Sequence, residues 1–170
     1  MYVYRKQNDK KGLCFEKYDE YSFHSVAHVQ KEIEFVYMMD GELTVTVDGH
    51  MQLAQKGDCI LILPHQIHFY EAACPVSSVV VNFSGELVQT FLSEIGDAVP
   101  DHNVFSPDDL SRLLIEHMLL KSEAHTLLDQ KLHTDPSFVF SIISYFPRFC
   151  KRWDFASKQT SFYRFLCSKC

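Results

Sequence analysis

The chain lacks four things, any one of which would assign it quickly: a long apolar run, an excess of basic residues, a secretory leader and a complete set of zinc ligands. No segment reaches the roughly 18 consecutive apolar residues of a membrane-spanning helix. Acidic residues outnumber basic ones, 22 to 16, for a formal net charge of −6. Nucleic-acid binding depends on clustered Lys and Arg, so this chain is not expected to grip DNA itself. The N-terminal segment MYVYRKQNDKKG has no apolar stretch of the kind found in a signal peptide, and a cytoplasmic location is expected. The six cysteines are Cys14, Cys59, Cys74, Cys150, Cys167 and Cys170. In a reducing compartment such residues serve mostly as small buried hydrophobes. The terminal CSKC has CxxC spacing but no second ligand pair nearby to complete a zinc site.

What is present describes an ordinary globular chain. With 170 residues, 46% of them hydrophobic and 14% aromatic, it fits one domain, or one domain with a helical appendage, and can bury a sizeable core. From His28 to Phe83 short apolar or alternating runs are separated by turn residues: EFVYMM, ELTVTV, HMQLA, CILIL, HFYEAA and SSVVVNF. Asp40-Gly41 and Asp48-Gly49 lie between such runs, and Asp-Gly pairs tolerate the positive φ of a tight turn, so two consecutive hairpins are expected. Strands at this spacing without an intervening helical period indicate an all-β barrel or sandwich.

The pattern changes after Phe83. GELVQTFLSEIG carries apolar residues at Leu87, Val88, Phe91, Leu92 and Ile95, which is helical spacing, with Gly96 as the stop. Ser106 followed by Pro107 and two aspartates predicts a second helix start, with Ser106 as N-cap. Along that helix Leu110, Leu113, Leu114, His117, Met118 and Lys121 are expected on one side. Asp135-Pro136 predicts a third helix over SFVFSIISYF, and the basic, aromatic tail beyond it has no clear period.

Polar residues in the strand region could converge. Alternate residues of a strand share a face, so His28 and Gln30 point the same way, and Glu34 rejoins them if the strand bends. His68, opening a later strand, can approach from across a barrel. Two imidazoles, an amide and a carboxylate suit a divalent metal such as Zn, Fe, Mn or Ni. They suit equally a polyhydroxylated ligand, whose hydroxyls need donors and acceptors. Tyr37, Tyr70 and Asn82 sit on strands expected to line the cavity. Lys31 and Glu32 are read as solvent-facing charges or a local salt bridge, and His24 and His65 as loop residues.

HVQKEIEFVYMMDG followed by GDCILILPHQIHFYE resembles the two motifs of the cupin superfamily: a His pair, a Glu and a Gly, then a Gly, a Pro and a further His. His28, Glu34, Gly41, Gly57, Pro64 and His68 fall at those places, and Gln30 replaces the second histidine. The resemblance covers His28 to Glu71, with compatible strands to Phe83. It implies a mainly β chain, a cupin double-stranded β-helix or jelly-roll barrel followed by C-terminal α-helices.

Within that superfamily the chain resembles most the N-terminal sensory domains of AraC-family transcription regulators. That likeness implies a cupin barrel with an N-terminal arm over residues 1–84 and a helical, dimerising segment over 85–170. It implies a small, sugar-like effector contacted by His28, Gln30, Glu34, Tyr37, His68, Tyr70 and Asn82, no enzymatic activity, and a homodimer. DNA contact would belong to a separate helix-turn-helix domain that this chain lacks. No cofactor is then required. If a metal binds, His28, Gln30, Glu34 and His68 are its expected ligands, and the alternative function is a free-standing metal-dependent cupin enzyme of isomerase or dioxygenase type.

Overall fold

The computed structural model describes residues 3–4, 13–20, 25–96 and 99–126. The described residues include ten strands: β1 (Val3–Tyr4), β2 (Leu13–Glu20), β3 (His28–Val29), β4 (Ile33–Asp40), β5 (Glu42–Val47), β6 (His50–Gln55), β7 (Cys59–Ile62), β8 (His68–Glu71), β9 (Val76–Phe83) and β10 (Val104–Phe105). A 3-10 turn over Gly85–Val88 leads into helix α1 (Gln89–Ile95), and helix α2 spans Asp109–Thr126.

The strands form two five-stranded sheets, ordered β1-β3-β8-β5-β6 and β10-β7-β4-β9-β2. Pairing is nested around the Asp48-Gly49 turn: β5 with β6, β4 with β7, β3 with β8 and β2 with β9, all antiparallel. Successive pairs alternate between the sheets, so the chain is a long folded ribbon rolled on itself. This is the double-stranded β-helix of a cupin.

One hairpin forms where the sequence predicts it. Asp48 and Gly49 both have positive φ, 49° and 84°, and β5 pairs with β6 across them. The other does not form: β4 and β5 lie in different sheets, so Asp40-Gly41 is a corner at which the chain changes sheet. Gly41 has φ 83°, and a Cβ there would stand 2.6 Å from the Pro75 carbonyl oxygen. The requirement for glycine is therefore steric as well as conformational, and an Asp-Gly corner is indistinguishable from an Asp-Gly hairpin in sequence.

Alternation along β4 separates two cores. Val36 and Met38 point between the sheets with Leu43, Val45, Ala54, Ile60, Ile62, Tyr70 and Val80. Ile33, Phe35 and Tyr37 point outward with Leu61, Val79, Val81 and Phe83, and are covered by Val88, Ile95 and Ile115 from the helical segment. Strand β10, inside the segment expected to be helical, pairs with β7, and the Gln52 side chain accepts hydrogen bonds from the backbone N–H groups of Asn103 and Val104.

Helix α2 starts later than predicted. Asp108, not Ser106, caps it, its carboxylate accepting from the Ser111 backbone N–H at 2.8 Å, while the Ser106 hydroxyl donates to Asp58. Over residues 109–117 of this helix Ser111 and Ile115 are buried, whereas Leu110 and Leu113 are exposed. Leu110 and Leu113 of the expected side thus do not pack on the barrel. Of the cysteines, Cys59 is buried as expected and Cys74 is exposed, both as free thiols. The third predicted helix and the tail lie outside the described residues.

Candidate functional site

Two short register matches assemble the site. His28 on β3 is paired with His68 on β8, and their rings lie 4.1 Å apart between centroids. On the facing sheet Glu34 of β4 is the cross-strand neighbour of Asn82 of β9. The histidines and the glutamate therefore meet across the barrel, not by alternation along one strand, and their ligand-capable atoms lie within 4.8 Å of one another. All three residues are buried.

Each ring is oriented from behind. His28 Nδ1 lies 2.9 Å from the Val26 carbonyl oxygen, and His68 Nδ1 lies 3.0 Å from that of Gln66. A carbonyl can only accept, so Nδ1 carries the proton in both rings and Nε2 is the nitrogen available to the site. The Gln66 loop is held in turn by its side chain, which accepts from the Leu63 N–H and the Asn103 amide and donates to Asp48.

Glu34 is the centre of the cluster. Tyr70 donates its hydroxyl to Glu34 Oε1 at 2.6 Å, Gln30 donates Nε2 to Oε2 at 3.1 Å, and His68 Nε2 stands 3.6 Å from Oε1. Burial by itself would push the carboxyl up. His68, with Nε2 at 3.6 Å, the Tyr70 hydroxyl and the charge of His28 outweigh it and hold the carboxyl at about 2. Gln30 Nε2 also donates to Asn82 Oδ1 at 2.7 Å. Because a carboxylate only accepts, this orientation of the Gln30 amide is chemically determined.

Of the seven residues expected at the site, the structure brings together His28, Gln30, Glu34, His68, Tyr70 and Asn82. It does not bring Tyr37, which has the opposite parity to Glu34 on β4 and faces the helices, donating its hydroxyl to Glu116 at 2.6 Å. Gln30 turns its amino group to Glu34, and its carbonyl oxygen Oε1 is buried with no hydrogen-bond partner among the described residues. The three-residue group His28, Glu34 and His68 remains able to hold a divalent ion, and the carbonyls behind the rings are the supports that metal-bound imidazoles ordinarily have.

Sequence reasoning missed Glu32, which is buried rather than solvent-facing, with Oε2 lacking a hydrogen-bond partner among the described residues. Its parity with Gln30 and Glu34 was the available signal. It also missed Gln66 and Asn103, which no local pattern links to His68.

A cupin barrel whose polar end gathers two histidines, a glutamate and three neutral hydrogen-bonding residues defines a class of proteins. The family follows from sequence: the AraC-like ligand binding domain matches residues 13–136, and the chain belongs to that family. Among solved structures it is similar to the AraC-like transcriptional activator CuxR, at 12% identity and TM-score 0.56 over 77% of this chain and 46% of that one. It is similar also to ToxT of Vibrio cholerae, at 10% identity and TM-score 0.53 over 88% of this chain and 61% of that one. At such identities the likeness is one of fold, and this chain spans less than two thirds of the length of either regulator. Comparison with curated proteins finds no match. Among the described residues no helix is long and apolar enough to cross a membrane.

Proposed function

We propose that this chain is the sensing part of an AraC-type transcription regulator, and that a small, uncharged, sugar-like molecule binds at the polar end of the barrel. The observation that carries the reading is what the cluster leaves over. Gln30 Oε1 and His68 Nε2 are buried and have no hydrogen-bond partner among the described residues. A buried polar group left unsatisfied costs about 1–3 kcal/mol, and native interiors seldom tolerate it without a ligand or water. With Nδ1 turned to the carbonyl behind it, His68 presents Nε2 to the site, and Gln30 Oε1 and Glu34 offer acceptors beside it. An acceptor-rich site calls for a ligand rich in donors, which a polyol supplies.

In this reading residues 1–84 form the sensing barrel with its arm, and residues 85–170 carry the dimer contact. DNA is contacted by a separate domain, and no catalysis occurs. The test is titration calorimetry of the purified chain against a panel of neutral monosaccharides and polyols. Binding that His68→Ala abolishes while the fold persists supports sensing.

The cluster of His28, Glu34 and His68 favours one second reading, a metal-dependent cupin enzyme of isomerase or dioxygenase type. Those three residues would hold Zn, Fe, Mn or Ni, and the metal would supply Lewis acidity. Stoichiometric metal in protein purified without added ions, lost in His68→Ala and accompanied by substrate turnover, would replace the sensing reading with this one.

A further inference from the structure

Strand β4 joins the site to the helical segment. Its inner face carries Glu34, and its outer face carries Tyr37, 2% exposed, whose hydroxyl donates to Glu116 Oε1 on α2 at 2.6 Å. Burial, and then the hydrogen bond and charge of Glu116, push the Tyr37 hydroxyl well above its ordinary ionisation range, so it stays a donor at any physiological pH.

Over residues 109–117 the attachment of α2 is otherwise narrow. Among the described residues it buries Ser111 and Ile115, and leaves Leu110, Leu113, Glu116 and His117 exposed. Arg112 lies over the turn at Gly57, where a Cβ would stand 3.1 Å from the guanidinium carbon. That turn is tied to the same strand: the Gly57 N–H donates to the Met38 carbonyl at 2.8 Å, and the Met38 N–H to the Asp58 carbonyl at 3.0 Å. Two of the places where the described residues of α2 bear on the barrel are therefore on β4 or hydrogen-bonded to it. An element held by few buried contacts opens at low free energy, which makes its docking sensitive to small displacements of the strand beneath.

We propose that the Tyr37–Glu116 hydrogen bond is the latch that couples the Glu34 site to α2, so that a change in what surrounds Glu34 inside the barrel alters how firmly the helix is docked outside it. The inference rests on the sensing reading for its biological meaning, but not for its test. Coupling between distant groups is shown by a shared element whose state both of them bias, and here the element is β4.

The experiment is amide hydrogen exchange by mass spectrometry on the full chain, with no effector added. Four proteins are compared with wild type: Glu34→Gln, Tyr70→Phe, Tyr37→Phe, and Tyr37→Phe combined with Tyr70→Phe. Tyr70→Phe removes a donor to Glu34 while keeping the ring, and so stands in if Glu34→Gln fails to fold. Tyr37→Phe is expected to raise exchange in the 109–117 segment by roughly tenfold and to leave β5 and β6 unchanged. Tyr70→Phe is expected to raise exchange in the same segment, and the double variant to show less than the product of the two single effects. If Tyr70→Phe and Glu34→Gln leave the 109–117 segment at the wild-type rate, or if the effects of Tyr37→Phe and Tyr70→Phe multiply in full, the coupling does not exist. Failure of sensing would show instead as absence of binding in the sugar titration, whatever the exchange rates do.

Discussion

Gln30 holds Glu34 by its amino group, Nε2 to Oε2 at 3.1 Å. An imidazole at position 30 would compete to bind an ion with Glu34, whereas an amide donor satisfies the carboxylate and, through Asn82, braces it against the neighbouring strand. The replacement of the second motif histidine thus changes the job of the position from ligand to support.

Removing that support leaves two buried acceptors, Glu34 Oε2 and Asn82 Oδ1, without their donor. Gln30→Ala is expected to lower stability by about 2–4 kcal/mol, read from the urea midpoint. A loss below about 0.5 kcal/mol would mean that water replaces the amide, and that Gln30 is not a support.

Tyr70→Phe deletes the 2.6 Å hydrogen bond to Glu34 Oε1 without changing the shape of the ring. The expected loss is about 1–3 kcal/mol at neutral pH. Since this hydroxyl is among the groups that hold the carboxyl down, the acid unfolding midpoint should also move to higher pH, followed by circular dichroism.

The acid behaviour has a definite sign. Glu34 is held at about 2 in the folded protein against an ordinary value of 4.5. A carboxyl whose folded-state pKa is depressed contributes stability that is complete above the unfolded value and is lost as pH falls through the folded one. Stability should therefore decline from about pH 4.5 towards pH 2, and Glu34→Gln should flatten that limb while being less stable at pH 7. A limb of unchanged steepness in Glu34→Gln would assign the acid loss to other carboxyls.

Two glycine variants separate the corner from the hairpin. Gly49 has φ 84° with nothing within 4 Å of an added Cβ, so Gly49→Ala should cost about 1–2 kcal/mol from the left-handed backbone alone. Gly41→Ala adds the clash with the Pro75 carbonyl and should cost at least about 1 kcal/mol more. Equal losses in thermal or urea unfolding would contradict the sheet-changing corner.

The strands β4 to β9 were legible in the sequence because turn residues separate them and because β-branched and aromatic residues fill them. Strand β2 was not: half of LCFEKYDE is charged, yet it pairs along its whole length with β9. The packing of residues 109–117 of α2 is not legible either. A leucine stripe is the usual core face, but here Leu110 and Leu113 are exposed, while Ile115 packs on the sheet and Glu116 accepts from Tyr37.

At the site, residue types were readable and orientations were not. His28, Glu34 and His68 stand out at motif spacing, yet Tyr37 and Tyr70 looked alike although one faces the helices and the other Glu34. By itself the sequence determined where the chain turns, which runs are strands and which polar side chains the barrel must accommodate, because turn chemistry and hydrophobic alternation are local. Only the tertiary structure decided that Asp40-Gly41 changes sheet, that the two histidines meet the glutamate across the barrel, and that Gln30 turns its amino group to Glu34. Those outcomes depend on strands far apart in the chain competing for the same neighbours, and on a carboxylate that can accept hydrogen bonds but cannot donate them.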